Sequence, residues 1–260
     1  MDTEAFNHAI ALRDAGKVEE AIEQLTLLAR STPDPQEKAS LLLNEATCLA
    51  ILGRYEEARE RDREAVRISP TPEIRASADF DEAAFYLDHD QCGKALRLFD
   101  RLMKRYKAVL ALPGLHDLNE RIQVFRGLAL VSLSRFREAR TVLEECLRFD
   151  LTADDERAVL SRLGTCYKNV GDNDRAKRAL LEALDKGVHG PEAVYAHYHL
   201  GTIYFAEKAY AKALMELEWC LAHVEEGKIP KKHICEWLRS TTSRLGMKEE
   251  AQRYDKLANC

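Results

Sequence analysis

Leu160 to Asp185 reads LSRLGTCYKNVGDNDRAKRALLEALD, one helical pattern running into a Gly-Asp turn and a second following it. Before the turn, Leu163, Gly164 and Tyr167 share one helical face; after Gly171, Ala176, Leu180 and Ala183 share another. Two short helices with one apolar face each can bury those faces only against each other and against a similar neighbouring pair. The stretch therefore predicts a helix–turn–helix unit that needs further copies of itself.

The chain supplies them. The alanine of each second helix falls at Ala21, Ala58, Ala95, Ala139, Ala176, Ala213 and Ala251, with successive spacings of 37, 37, 44, 37, 37 and 38. Seven helix pairs are expected: Thr3 to Ala15 with Val18 to Arg30, Lys38 to Leu52 with Tyr55 to Ile68, and Ile74 to Asp88 with Gly93 to Tyr106. A fourth joins Leu118 to Leu133 with Phe136 to Phe149, and the fifth, already quoted, opens at Thr152, whose spacing to Asp155 resembles a capping box. The last two join Glu192 to Ala206 with Tyr210 to His223 and Lys231 to Leu245 with Lys248 to Ala258. Pro33 and Pro70 stop outgoing helices, while Pro35 and Pro72 open the next at a fixed backbone angle behind Asp34 and Thr71 as N-caps.

One interval of 44 contains KAVLALPGLHDL, seven residues more than the basic spacing and close to two helical turns. The expected accommodation lengthens the third pair's second helix to Leu112 and starts the next helix after Pro113. Two readings stay open. The insertion is either a locally satisfied loop or a tip whose Val109, Leu110, Leu112 and Leu115 form a contact edge for a partner or a second copy.

Composition agrees with a stack of small layers. The 260 residues are 46% hydrophobic yet 32% charged, which suits an elongated array better than one compact globule. A formal charge of -5 gives no global attraction to polyanions, so no nucleic acid partner is expected. Apolar runs such as Ala46 to Leu52 fall far below the roughly 20 residues a membrane span needs. No membrane association is expected. The N-terminal MDTEAFNHAIALRDAG is acidic before it is apolar and does not read as a signal peptide, which points to the cytoplasm. Seven cysteines, with no C-x-x-C pair, sit mostly inside helical patterns and read as small buried residues rather than a disulfide framework.

Little in the chain looks catalytic. Glu19-Glu20, Glu56-Glu57 and Glu249-Glu250 stand in the first turns of second helices, where negative charge favours the helix dipole. His197 and His199, like His233 and Cys235, are two residues apart and point to different sides of a helix, so neither pair can chelate one metal alone. No H-E-x-x-H, G-x-S-x-G, phosphate-loop or dinucleotide pattern occurs. No enzyme activity and no cofactor are expected.

At this point the residues resemble the tetratricopeptide repeat family. Leu200, Gly201, Tyr204, Tyr210, Ala213 and Leu217 follow the family's unit most closely, Leu163, Gly164, Tyr167, Gly171, Ala176, Leu180 and Ala183 do so in the preceding one, and Ala46, Leu49, Gly53, Tyr55, Ala58, Ala65 and Pro70 near the start. The chain departs in two ways: its intervals exceed the family period of about 34, and its seventh unit has Arg239 and Thr242 where Gly and Tyr belong, as suits a polar terminal cap. The resemblance implies an all-α fold, a right-handed α-solenoid or superhelix of antiparallel helix pairs. It also implies a single domain over 1–260 with repeats at 2–34, 39–72, 76–110, 118–152, 157–190, 194–228 and 232–260.

The family lines its concave face with first helices, and transferring those positions gives a candidate peptide-binding groove. It comprises Asn44 and Asp81 in the front half, then Arg121, Phe125, Arg162, Thr165, Lys168, Asn169, Tyr198, His199, Thr202, Phe205 and Trp237 in the back half. Arg162 and Lys168 would receive an acidic part or terminal carboxylate of a peptide, with Phe125, Tyr198, Phe205 and Trp237 as apolar anchors. The competing reading packs those aromatics between neighbouring units. The clamp by which some family members grip chaperone tails is missing: Asn44 fits its middle element, but Phe6 and Ile10 fill the first and Ser77 and Asp81 the last. The expected function is a non-enzymatic scaffold binding a protein or peptide partner, with self-association into a homo-oligomer, or reception of a small signalling peptide, as alternatives.

Overall fold

A computed structural model describes residues 2–227 and 229–259; Met1, Lys228 and Cys260, the last of which closes the seventh repeat interval, lie outside the described residues. Among the described residues there are fourteen α-helices and no strand. In chain order they are α1 (Thr3–Asp14), α2 (Val18–Ser31), α3 (Pro35–Ile51), α4 (Tyr55–Ile68), α5 (Pro72–Asp88), α6 (Cys92–Arg105) and α7 (His116–Ser132). There follow α8 (Phe136–Cys146), α9 (Ala153–Asn169), α10 (Asn173–Asp185), α11 (Gly190–Ala206), α12 (Tyr210–Ala222), α13 (Lys231–Leu245) and α14 (Lys248–Ala258). The chain is a helical-repeat solenoid, and its packing falls into two compact units that divide inside α7, between Ala129 and Leu130.

First helices α3, α5 and α9 start at side-chain caps. Asp34 accepts the Gln36 and Glu37 amides ahead of Pro35, Thr71 accepts the Ile74 amide ahead of Pro72, and Thr152 accepts the Asp155 amide. Second helices start without such caps at Lys17, Arg54, Gln91, Arg135, Ala209 and Met247; four of them have acidic first turns instead, Glu19-Glu20, Glu56-Glu57, Glu138 and Glu249-Glu250.

Each turn inside a pair is the same backbone device. Five residues ahead of each marker alanine stands a left-handed residue: Gly16, Gly53, Asp90, Ser134, Gly171, Lys208 and Gly246. The next amide then closes on the carbonyl five residues back, as Lys17 does on Leu12, Asp172 on Tyr167 and Ala209 on Tyr204, each at 2.9 Å. That closure satisfies carbonyls the ending helix leaves open. Asp90, Ser134 and Lys208 accept a conformation that favours glycine, because the bond is common to every turn and holds them there.

Helix α2 packs on α1 and α3, α4 on α3 and α5, α10 on α9 and α11, and α12 on α11 and α13. Ala21, Ala95, Ala139, Ala176 and Ala213 are fully buried. Gly201 lets α11 and α12 approach closely: a Cβ there would stand 2.7 Å from Leu217, and one at Gly164 would collide with Leu180 in the same way. In the last pair the equivalent positions carry Arg239 and Asp255, an exposed ion pair at 3.2 Å. The seventh pair thus has a solvated contact where the fifth and sixth have a packed one.

The insertion differs from its expectation. Helix α6 ends at Arg105 rather than Leu112, and the chain winds through turns before α7 begins at His116. Tyr106 anchors the change: it is buried and its hydroxyl donates to Asp79 at 2.9 Å. Leu110 is then buried, and Val109 and Leu115 pack on the core of Phe80, Phe99 and Ile122. Of the four apolar residues only Leu112 stays exposed, so the segment closes the first unit's own core rather than presenting an edge.

Candidate functional site

In the second unit the first helices α9, α11 and α13 touch one another in succession and share one face. A connected row crosses it. The Arg162 guanidinium lies 5.5 Å from the Tyr195 ring centroid; Tyr195 stacks towards His199 at 6.5 Å, and His199 meets Tyr198 edge-on at 5.6 Å. The Trp237 indole N–H donates to the Tyr198 hydroxyl at 3.1 Å, and Phe205 packs edge-on against Trp237 at 5.2 Å. All six are only partly buried, so their faces are held by neighbours but not sealed. Aromatics fixed in this way offer contact area at small entropic cost.

One end of the row is cationic. Burial lowers the His199 imidazole to about 4, with Lys168 and Arg162 adding positive charge. His199 is thus neutral at physiological pH. Arg162 already donates to Glu192 at 2.7 Å, which leaves Lys168, with no ion pair among the described residues, as the freer cation. Glu192 escaped sequence reading because it stands in the first turn of α11, 30 residues away, where an acid is sufficiently explained by the helix dipole.

The remaining expected residues of this unit are occupied locally. Thr165 and Thr202 are buried and donate to the Ser161 and His199 carbonyls, and the exposed Asn169 donates its amide to the Thr165 carbonyl at 2.8 Å. Such back-bonding is the usual local choice of short polar side chains in a helix.

The first unit holds Asn44, Asp81, Arg121 and Phe125. Asn44 donates to the Ser40 carbonyl at 2.9 Å, Arg121 lies 4.7 Å over the buried Phe80 ring, and Phe125 packs edge-on against Phe80 at 5.2 Å as part of the core. Asp81 faces another carboxylate, Asp62 of α4. Burial pushes Asp81 up to about 7, opposed by Arg121, and pushes Asp62 up to about 8, reinforced by the Asp81 charge. The Asp62 Oδ1 is buried with no hydrogen-bond partner among the described residues. No sequence pattern announces this pair, since its members come from different repeats.

His197 and His199 do part company: His197 bonds Glu216 at 2.6 Å and stacks on Trp219 at 3.9 Å, on the side of α12. No group of metal-binding side chains is assembled among the described residues. A cleft of about 650 Å³ opens at the turn edge beside Arg137, Arg140, Gly171 and Asp172, away from the row. Of its charges, Asp172 caps α10 and Arg140 lies 3.9 Å from Glu144. No helix among the described residues is long and apolar enough to cross a membrane.

Paired helices with a common turn, a small residue at each close crossing and a face of first helices define a helical-repeat interaction protein. The family model described as tetratricopeptide repeat matches residues 6–71 and 161–218, and these matches together with the fold support a tetratricopeptide repeat protein. Solved structures share the fold at low identity. The PilF protein of Pseudomonas aeruginosa is 15% identical with a TM-score of 0.62, over 85% of this chain and 90% of that one. The Cut9-Hcn1 hetero-tetramer of the APC/C is 16% identical with a TM-score of 0.67, over 96% of this chain and 45% of that one. The quorum sensor NprR of B. thuringiensis is 14% identical with a TM-score of 0.58, over 98% of this chain and 85% of that one. No match is found among curated protein sequences. Members of the family are generally non-catalytic scaffolds with protein partners, and the fold supports that role here.

Proposed function

We propose that this protein is a cytoplasmic, non-enzymatic scaffold that holds an extended segment of a partner protein along α9, α11 and α13. The observation that carries the reading is the partly exposed row Tyr195, His199, Tyr198, Trp237 and Phe205, fixed by its own contacts and ending at Lys168 and Arg162. Apolar side chains of the segment pack on the aromatic faces. An acidic side chain or terminal carboxylate meets Lys168, and Arg162 joins it by exchanging Glu192 for the incoming carboxylate. The reading rests on the second unit alone, because Asn44 and Phe125 of the first unit spend their contacts internally.

Affinity capture with wild-type protein and with a Tyr198→Ala/Lys168→Glu variant tests it. The expected result is a protein partner retained by the wild type and lost by the variant, whose helical circular dichroism is unchanged. Equal retention by both would remove this face as the docking surface.

A further inference from the structure

The first unit carries a surface that the docking role leaves unused, the outer face of α6. Helix α6 has Lys94, Arg97, Arg101, Lys104 and Arg105 against one carboxylate, Asp100. At 3.6 residues per turn the five cations fall within an arc of about 100° and along about 17 Å of helix. All five are exposed, as is Lys107 just beyond, while Ala95, Leu96, Phe99 and Leu102 on the opposite side are buried. The face is unlike other second helices: α4 intersperses Arg59, Arg61, Arg63 and Arg67 with Glu56, Glu57, Glu60, Asp62 and Glu64.

The charges are largely uncommitted. Asp100, the lone carboxylate, is taken by Arg126 at 2.7 Å, so it does not neutralise the stripe. Arg105 reaches Asp79 at 3.6 Å, and Lys94 sits 3.6 Å over the Tyr86 ring. Arg97, Arg101, Lys104 and Lys107 make no ion pair among the described residues. Like charges on one helical face repel, and an anionic partner with matching spacing relieves that repulsion.

We propose that the outer face of α6 is a docking surface for an acidic polypeptide segment of another protein, one presenting carboxylates at helical i, i+3 or i+4 spacing. The rest of the first unit discriminates among polyanions. Outside 92–107, residues 1–129 hold 22 carboxylates and only 12 Lys and Arg, so the rest of the unit is net acidic and disfavours an anionic bilayer or a duplex, which presents charge over a broad front. A single acidic segment lies along the 17 Å stripe alone. The helix also exposes no large apolar side chain to enter a bilayer, since its own are in the core.

The test uses the full chain and a fluorescein-labelled peptide of about four turns with Glu at every third or fourth position, followed by anisotropy at low and physiological salt. The comparison probes are phosphatidylglycerol vesicles and duplex DNA of similar charge. The proposal expects saturable, salt-sensitive binding of the peptide, at least tenfold weaker in an R97E/R101E/K104E variant and unchanged in a K231E/K232E/K248E control, which reverses three exposed lysines of the second unit. Circular dichroism shows that each variant remains helical. No binding of the peptide by the wild type, equal loss in both variants, or tighter binding of the vesicles or DNA through the same three residues would overturn it.

Discussion

Asp62 and Asp81 are the residues whose surroundings most contradict their charge. Both are pushed above the ordinary carboxylate range, so the folded state holds protons that the unfolded chain has released. Their contribution is favourable in acid and is lost as pH rises from about 4, the unfolded value, through about 7 and about 8. Asp62→Asn should therefore raise urea resistance at pH 8 more than at pH 5, measured by fluorescence-detected melts of wild type and variant. His199 carries the opposite sign, because burial depresses it to about 4. Its contribution is present above about 6.5, the unfolded value, and is lost as pH falls towards about 4. His199→Gln should reduce the acid-side loss of stability; an unaltered profile would mean that the imidazole is solvated. Close packing gives a third residue-scale expectation. Gly201→Ala should cost about 1–3 kcal/mol by forcing its Cβ against Leu217, read from the shift in urea midpoint. At this scale the sequence was legible where a residue type has one use, as with Gly164 and Gly201, and illegible where burial and distant neighbours decide, as with Asp62 and Glu192.

Among elements, the turn after each first helix explains both what could be read and what could not. Gly16, Gly53, Gly171 and Gly246 mark four of the left-handed positions openly. Asp90, Ser134 and Lys208 occupy the other three without a glycine, since a bond from the following amide fixes the conformation and the side chain merely tolerates it. Replacing Lys208 by glycine should therefore stabilise the protein by about 0.5–1 kcal/mol, the left-handed penalty less the entropy glycine adds to the unfolded chain. A thermal melt checks it, and a lowered midpoint would mean that the Lys208 side chain supplies a contact the backbone argument omits. The insertion after α6 reads as extra helix because KAVLALP has helical composition up to its proline. Tyr106, pinned to Asp79, instead turns the chain so that Leu110 is buried. The choice between a longer helix and a folded-back turn rested on a contact with α5 that spacing does not encode.

For the molecule as a whole, periodicity carried the fold because each repeat touches mainly its neighbours, so local pattern and tertiary packing repeat together. The docking face was legible only as positions. That Tyr198, Phe205 and Trp237 would link into one row with His199, while Phe125 packs on Phe80, depended on neighbours that position alone does not name. The central claim is that this row receives a partner segment, and Trp237 reports on it directly. In a Trp219→Phe protein Trp237 is the sole tryptophan. Titration with a peptide from the captured partner should give a saturable blue shift of its emission, with the same midpoint as calorimetric binding. Calorimetric binding that leaves the Trp237 emission unchanged would contradict the account.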